Sequence, residues 1–307
     1  MTGMLGASAN DSLLPPEPDL SQPAVSHRRR LGSQGAAGFW HRFGAGPAIA
    51  LAFVVLLILM TILAPLIAPF GPNVQNYTDA LQGPSLHHLL GTDDLGRDVL
   101  SRLIYGTRSA FEGLAVLVVV SGVLGTAWGL AAGFLGGWVD AVLMRIADTW
   151  LAFPGLVLAM AVAGILGASL VHSMEAIGLV TAPFVARLLR SSVLQNRRAE
   201  YVLIARSLGI SRTRCAILHV LPNSWAPAFV QLWLSLSIGL LAEAGLSFLG
   251  LGVQPPIADW GSMLAESYRY FLSNPLQTVA PGIVITITCL ALAQVGEGLR
   301  RVLIIGR

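Results

Sequence analysis

Uncharged apolar stretches divide the chain into segments that are each long enough to cross a membrane. Residues 43–74 hold no charged side chain, and similar stretches recur along the rest of the chain. A membrane-spanning helix needs about 20 predominantly apolar residues. We therefore predict an all-α, polytopic membrane protein with six spans, at about 47–67, 110–135, 144–167, 172–190, 223–247 and 277–299.

The fourth predicted span is the least apolar of the six. Glu175 and Arg187 flank only eleven uncharged residues within it. The span is kept because an odd number of crossings would place one arginine-rich terminus outside the cell, where basic residues are disfavoured.

The segment before the first span has a different composition. Residues 1–46 contain Pro15, Pro16, Pro18 and Pro23, followed by the run Arg28, Arg29 and Arg30. A segment with so few apolar residues cannot form a packed core. We expect 1–46 to be a disordered polar leader in the cytoplasm and 47–307 to be the transmembrane domain.

The distribution of arginines predicts the orientation of the spans. All 19 basic residues are arginines. With both termini in the cytoplasm, 15 of them fall on the cytoplasmic side, and only Arg97, Arg102, Arg108 and Arg269 fall outside. Because short cytoplasmic loops are enriched in basic residues, we expect a multi-pass protein of the cytoplasmic membrane with both termini inside.

The overall composition excludes several classes of protein. Of the 307 residues, 54% are hydrophobic and 11% are charged, whereas a soluble domain has about 25% charged residues. The chain is therefore not an ordinary soluble enzyme or a disordered protein, and we expect membrane lipid rather than nucleic acid around it. Its two cysteines do not have the spacing of a disulfide framework or a metal site.

The loop predicted at 191–222, on the cytoplasmic side, has the pattern of two short helices. Residues 199–208 are good helix formers, and Gly209 can adopt a positive φ that ends the first helix. Ser211 can cap the second helix, and Pro222 suits the first turn of the next span. The simpler alternative is an arginine-rich loop that only sets the topology.

We expect Val202, Ala205 and Leu208 to lie on one side of the first helix, with Arg198 and Arg206 projecting elsewhere. The candidate functional residues of this loop are Glu200, Tyr201, Ala205, Arg206, Gly209, Ser211, Leu221 and Pro222.

A second informative segment, at 91–108, lies on the predicted outer side. Its acidic and basic residues nearly balance, so it could dock a soluble partner through complementary charges. It could equally be a helix capped by Thr92 or Asp93. The candidate residues are Gly91, Thr92, Asp93, Gly96, Arg97, Asp98 and Arg102.

A third segment follows the predicted fifth span. Glu243 lies 21 residues after Pro222, about 31 Å along a helix that rises 1.5 Å per residue, so we expect it near the outer interface in a structural pair. On the inner side, we expect Asp148 to pair with Arg145 one helical turn away. The candidate residues of the third segment are Glu243, Ser247, Gly250, Gly252, Pro255, Trp260 and Gly261.

These three segments resemble a known family. The 191–222 loop is similar to the conserved loop of binding-protein-dependent ABC importers, which it matches at Ala205, Gly209, Leu221 and Pro222, whereas Leu203 and Ile204 replace the usual glutamate and alanine. Residues 91–108 and 243–264 are similar to segments of the C-type permease of dipeptide and oligopeptide importers.

The resemblance implies a six-helix type I ABC importer permease fold and a subunit that moves dipeptides or oligopeptides inward by alternating access. The implied partners are a homologous B-type permease, two ATP-binding subunits and an extracytoplasmic substrate-binding protein that delivers the peptide. It implies that this chain is not an enzyme and binds no cofactor or metal itself, with ATP and Mg held by the partner ATPase subunits.

Two alternatives remain at the level of the sequence. A permease of the same fold could carry nickel, glutathione or haem. An intramembrane protease is much less favoured, because a serine protease would need G-x-S-G, where the chain has Gly245-Leu-Ser-Phe, and a zinc protease would need H-E-x-x-H. The phosphate-binding motif of a nucleotide hydrolase is also missing from the sequence.

Overall fold

The structure, a computed structural model, describes residues 36–305 and consists over that range of α-helices without a β-strand. The helices are α1 (Ala36–Phe43), α2 (Ala45–Ile67), α3 (Val99–Leu135), α4 (Gly137–Leu151), α5 (Gly155–Leu166), α6 (Leu170–Asn196), α7 (Glu200–Ser207), α8 (Arg212–Cys215), α9 (Leu221–Phe248), α10 (Trp260–Ser267) and α11 (Pro275–Arg300). Two π-helical turns, Ala216–Val220 and Arg301–Ile305, precede α9 and follow α11.

The predicted all-α fold is confirmed, and its long helices match the apolar stretches of the sequence. Helices α2, α3, α6, α9 and α11 are each long and apolar enough to cross a membrane. Helix α3 begins at Val99, well before the predicted start near 110, because the Asp98 side chain accepts a hydrogen bond from the Ser101 amide and caps the helix there.

The third predicted span is not one continuous helix. Instead of a single helix over about 144–167, α4 ends at Leu151 and α5 begins at Gly155, with a bend of 92° between them. Pro154 lies at the break, and proline lacks a backbone N–H and disfavours a helical conformation in the residue before it. Counted as one bent span, the two helices give a sixth candidate crossing.

One end of the helix bundle, which we call the loop end, is formed by residues 68–98 and 249–274. Gln277, at the start of α11, donates a hydrogen bond of 2.5 Å to the carbonyl of Thr92. Ser173, at the start of α6, donates one of 2.6 Å to the carbonyl of Leu251. The segments that follow α2 and α9 therefore lie beside the starts of α11 and α6.

The opposite end, which we call the terminal end, holds α1, residues 197–220 and the turn 301–305. There the Asn196 side chain donates to Ser224 Oγ at 3.0 Å, and an Arg197 Nη donates to the Gly133 carbonyl at 2.8 Å. The chain thus passes six times between the two ends, and both termini of the described range lie at the terminal end.

Helices α3 and α6 approach each other closely along a row of glycines. Gly125, Gly129 and Gly133 recur every four residues on α3, and a Cβ at Gly129 would lie 2.5 Å from the Ala186 carbonyl oxygen. In lipid, where helices gain little from apolar burial against each other, small residues allow the backbone contact that drives helix association. This glycine row therefore sets the centre of the bundle.

Helix α4 is attached to α6 by two ion pairs. The Arg190 guanidinium binds both carboxylate oxygens of Asp140, with Nη2 to Oδ2 at 2.6 Å, and Arg187 pairs with Asp148. The predicted pair of Asp148 with Arg145 is therefore wrong. Asp148 pairs with Arg187 of the facing helix because α4 lies against α6.

The structure begins inside the predicted leader. Residues 1–35 of the leader lie outside the described residues, whereas 36–43 form α1 rather than a disordered segment. The rings of Trp40 and Phe43 meet edge to face, with centroids 5.7 Å apart, and Phe43 is buried against Gly298. These aromatic residues supply the apolar contact that the prediction overlooked.

Candidate functional site

Helix α7 lies at the terminal end and is held by one side only. Val202 and Ala205 are buried against the bundle, but Leu208, predicted on the same side of the helix, is 77% exposed. Leu208 is the last residue before the turn, where the backbone has left the helical conformation. The predicted helix at 199–208 is confirmed at Glu200–Ser207.

The turn after α7 depends on a glycine. Gly209 has φ +83°, a conformation that residues with a side chain adopt at a cost of roughly 1–2 kcal/mol. No atom lies within 4 Å of the place where its Cβ would be, so the requirement for glycine is one of backbone conformation rather than space. The Ser211 side chain then accepts from the Arg214 amide and caps α8, as predicted.

The helical segment continues without a break through Pro222, near the start of α9. Helix α8, the π-helical turn at Ala216–Val220 and α9 follow one another without interruption, so a helical segment runs from Arg212 to Phe248. Pro222 lies in the first turn of α9, and a π-helical turn accommodates a missing hydrogen bond. Leu221 and Pro222 are thus part of the connection between α7 and the membrane.

Two exposed flanks of α7 carry different side chains. Tyr201, Ile204 and Leu208 form an apolar flank, and Leu203 and Arg206 form the other. Their spacing of three and four residues places each set on one line of the helix. Glu200 is exposed at the helix start, where an acidic residue favours the helix dipole.

At the loop end, a network of buried ion pairs holds the 91–98 segment. Asp93 accepts hydrogen bonds from the Arg97 amide at 2.8 Å and from Arg97 Nε at 2.6 Å. An Nη of Arg97 donates to Glu266 of α10 at 2.8 Å. Arg102 lies between the same two acids, with nitrogen–oxygen distances of 3.8 Å to Asp93 and 3.7 Å to Glu266.

Most of the charged residues of this segment are therefore not available as a docking surface. Asp93, Arg97, Asp98 and Arg102 are all buried, so the predicted role in binding a soluble partner through them is wrong. The predicted cap at Thr92 or Asp93 is also wrong, because Asp98 caps α3. Thr92 instead accepts the Gln82 amide at 3.0 Å.

Gly91 and Gly96 allow the tight fold of the segment. Both have positive φ, and a Cβ on Gly96 would lie 1.8 Å from the Asn76 carbonyl oxygen. These two glycines are therefore required by the close approach of residues 76–83 to the 91–98 segment.

The segment after α9 packs against the same network. Glu243 is buried beside Asp259, and Ser247 donates to a Glu243 carboxylate oxygen at 2.9 Å. Asp259 accepts the Ser262 amide at 2.8 Å and caps α10. The buried position of Glu243 at the loop end and its hydrogen bond to Ser247 agree with the predicted structural role.

The remaining candidates of this segment fix the path of the chain. Trp260 donates through Nε1 to the Leu103 carbonyl at 3.0 Å. A Cβ on Gly261 would lie 2.6 Å from the Ala244 carbonyl oxygen, and one on Gly252 would lie 1.9 Å from Ser247 Oγ. Gly250 has positive φ, and Pro255 lies in an exposed turn.

Sequence reasoning did not identify two members of the loop-end network. Glu266 and Gln277 contact the 91–98 segment from 169 and 185 residues away. Nothing in the local sequence indicates this pairing, which arises because α10 and the start of α11 fold over the start of α3.

An apolar cavity of about 420 Å³ opens between α5, α6 and α9 at the middle of the bundle. Among its lining residues, the hydroxyls of Thr181 and Ser235 donate to carbonyls of their own helices. The amide of Gln231, partly buried, makes no side-chain hydrogen bond with any residue in the 36–305 range. It is free to bind whatever occupies the cavity.

The chain has clear relatives among known proteins. Residues 125–304 match the family described as binding-protein-dependent transport system inner membrane component, and 38–84 match the N-terminal TM domain of oligopeptide transport permease C. The dipeptide transport system permease protein of Alkalihalophilus pseudofirmus is 39% identical over 252 residues, 82% of this chain and 83% of the relative.

Two further relatives cover a similar share. The dipeptide transport system permease protein of Haemophilus influenzae is 39% identical over 85% of this chain and 92% of its own. The glutathione transport system permease protein of Pectobacterium atrosepticum is 37% identical over 85% of this chain and 88% of its own.

A solved structure shares the fold. A chain of the inward-facing MetNI methionine ABC transporter superposes with a TM-score of 0.54 at 15% identity, over 66% of this chain and 96% of that chain. At this identity the likeness concerns the fold alone.

Removal of Arg102 is expected to destabilise the loop end. Arg102→Gln leaves Asp93 and Glu266 with Arg97 as their remaining partner, and breaking a buried ion pair costs about 3–5 kcal/mol. The apparent melting temperature of the purified chain in detergent should fall. Arg108→Gln, six residues along the same helix, is the control, since Arg108 is exposed and pairs only with exposed Glu112. Equal melting temperatures for the two variants would contradict the stabilising role of the network.

Proposed function

The chain belongs to the family of binding-protein-dependent transport system inner membrane components, and we propose that it carries dipeptides and short oligopeptides inward as part of an ATP-driven importer. The observation that carries the choice of cargo is the similarity to dipeptide permeases over more than four fifths of both chains. The relative named for glutathione, which is itself a tripeptide, fits the same class of cargo.

The importer contains further subunits. A homologous permease would cover the face of α5, α6 and α9 that exposes Leu156, Phe184 and Leu241, since apolar faces of this size at membrane depth pack against another helix bundle or lipid. Two ATP-binding subunits would hold ATP and Mg²⁺, and an extracytoplasmic binding protein would deliver the peptide. This chain binds no cofactor and hydrolyses no ATP in this proposal.

The contact with an ATP-binding subunit is made by the apolar flank of α7. Tyr201 and Ile204 are exposed on a short helix at the terminal end, and Leu208 is exposed directly after it; an amphipathic helix of this kind fits an apolar groove of a partner. Because the helical segment from Arg212 to Phe248 follows directly after the turn at Gly209, a shift of α7 moves the inner end of α9. Rocking of the bundle then opens the passage inward.

Cargo passes along the cavity of α5, α6 and α9. Gln231 lies nine residues after Pro222, about 13 Å along the helix, which is near the middle of a hydrocarbon layer about 30 Å thick. An amide at this depth is costly unless it finds a hydrogen-bond partner. The donors and acceptors of a peptide backbone provide such partners.

The terminal end faces the cytoplasm in this proposal. Arg197, Arg198, Arg206, Arg212 and Arg214 lie there, whereas the loop end exposes few arginines. The positive-inside rule therefore places both termini in the cytoplasm and the loop end outside.

The choice of cargo is tested with the complete importer in liposomes. Uptake driven by ATP should be fastest for dipeptides and tripeptides and should be outcompeted by them, whereas nickel and haem should neither enter nor compete. The chain without its partners should transport nothing. Uptake of nickel or haem in preference to peptides would overturn the proposed cargo without affecting the family assignment.

The coupling role of α7 is tested at its turn. Gly209→Val should abolish ATP-driven uptake, because a β-branched residue is strongly disfavoured at positive φ. Gly209→Asn is the matched control and should retain most of the uptake, since asparagine tolerates this conformation. Both proteins should insert normally. Equal uptake by the two variants would show that the turn does not transmit the motion.

The orientation is tested by cysteine labelling in intact cells. Leu86→Cys and Leu272→Cys, each in a protein without its native cysteines, should react with an impermeant maleimide, because both side chains are almost fully exposed at the loop end. Arg198→Cys, exposed at the terminal end, should react only after lysis. The reverse pattern would invert the proposed topology.

A further inference from the structure

A second cavity, of about 480 Å³, lies at the terminal end between α3, α7 and α8, and four arginines line it. They are Arg197, Arg198, Arg206 and Arg212. No carboxylate is among the lining residues. Four like charges around one cavity repel each other, so an anion within it would relieve that repulsion.

Three of the four guanidinium groups are available to a ligand. Arg198, Arg206 and Arg212 make no side-chain hydrogen bond or ion pair with any residue of the described range 36–305. Arg197 holds the wall of the cavity, because it donates to the carbonyls of Gly133 and Phe134 at 2.8 and 3.3 Å. Those carbonyls are left unpaired by the end of α3 and gain a donor in this way.

Acidic residues near the cavity are already engaged. Asp140 is influenced by the charge of Arg197, but both of its carboxylate oxygens bind Arg190. It therefore does not neutralise the arginines of the cavity.

The cavity also has an apolar wall at the edge of the membrane. Leu135, the last residue of the spanning helix α3, is 63% exposed, and Leu203 of α7 is exposed beside it. Trp138, just after the end of α3, is exposed as well, and tryptophan favours the membrane–water interface. The cavity thus joins cationic groups to exposed apolar surface.

We infer that this cavity binds one anionic phospholipid of the cytoplasmic leaflet, its phosphate among Arg198, Arg206 and Arg212 and its acyl chains along Leu135. Basic cavities between spanning helices on the cytoplasmic side are suited to anionic headgroups, and the volume falls within the about 300–1,000 Å³ of small-molecule sites. The inference rests on the cytoplasmic orientation proposed above.

An acidic surface of an ATP-binding subunit is the competing occupant, and the two flanks of α7 argue against it. Arg206 and Leu203 turn toward the cavity, whereas Tyr201, Ile204 and Leu208 lie on the other flank. A partner can occupy the apolar flank while the lipid fills the cavity. The lipid would thereby stabilise α7, which the bundle holds through only two buried residues.

The site is tested by native mass spectrometry of the purified full chain, titrated with phosphatidylglycerol or phosphatidylcholine. The chain should retain phosphatidylglycerol in preference to phosphatidylcholine. Each arginine near a phosphate contributes about fivefold in affinity, so Arg212→Gln should weaken retention about fivefold and Arg206→Gln/Arg212→Gln about 30-fold. Arg214→Gln is the matched control, since Arg214 lies on the same short helix, outside the cavity lining.

Several results would overturn the inference. Unchanged retention in the double variant, or equal retention of the two lipids by the wild-type chain, would show that no specific lipid site exists. Displacement of the lipid by inorganic phosphate alone would indicate a site for a soluble anion.

Co-purification of the ATP-binding subunit distinguishes binding of the lipid from binding of this subunit at the same arginines. Loss of that subunit from the double variant, with lipid retention unchanged, would assign the arginines to the subunit. Because retention is measured without cargo or ATP, failure of the lipid site leaves the proposed transport function standing, and failure of peptide uptake leaves the lipid result standing.

Discussion

The arrangement of the loop end depends on the need to neutralise charge that is buried within the chain. Arg97 donates to both Asp93 and Glu266, and an unpaired charge in their place would cost several kcal/mol. These contacts join the start of α3 to α10, and Gln277 adds the start of α11. Helices that are far apart in the sequence are thereby held together at the loop end. The glycine row of α3 lets α6 pack closely against α3.

The terminal end is built in the opposite way. Helix α7 is attached through two buried side chains, and the side chains of Arg198, Arg206 and Arg212 beside it lack partners within the described residues. A surface with unpaired arginines and an exposed apolar flank is more readily covered by other molecules than by the chain itself. In the proposed function, the self-sufficient loop end faces outside, and the incomplete terminal end receives force from cytoplasmic partners.

The sequence predicted those features that depend on neighbouring residues. The positions of the long helices followed from apolar stretches, and the turn at Gly209 and the cap at Ser211 followed from the local preferences of those residue types. The bend at Pro154 was also visible locally but was outweighed by the uninterrupted apolar stretch around it.

The pairing of charges could not be predicted, because a carboxylate is equally satisfied by any arginine that the fold brings near. Asp148 therefore binds Arg187 on α6 instead of Arg145 on its own helix. For the same reason, the balanced charges of 91–108 indicated a surface, although Arg97 and Arg102 are buried and pair with Glu266. Charge balance within a segment is compatible with either arrangement, and only the position of α10 decides between them.

The continuity from α8 through α9 gives the proposed coupling a physical route. The segment Arg212–Phe248 has 37 residues, about 55 Å at 1.5 Å per residue, and extends from the turn at Gly209 to the buried Glu243. At its outer end, Gly261 packs against the Ala244 backbone too closely for any side chain. The segment is fixed at the loop end and is attached to the loosely held α7 at the terminal end. In the proposed importer it therefore moves most at the terminal end, where the partners act. The π-helical turn at Ala216–Val220 lies within this segment, and such turns allow a local change of direction without loss of the helix. In the proposed mechanism, motion of α7 is therefore concentrated at the terminal end of the bundle, while the loop end keeps its geometry.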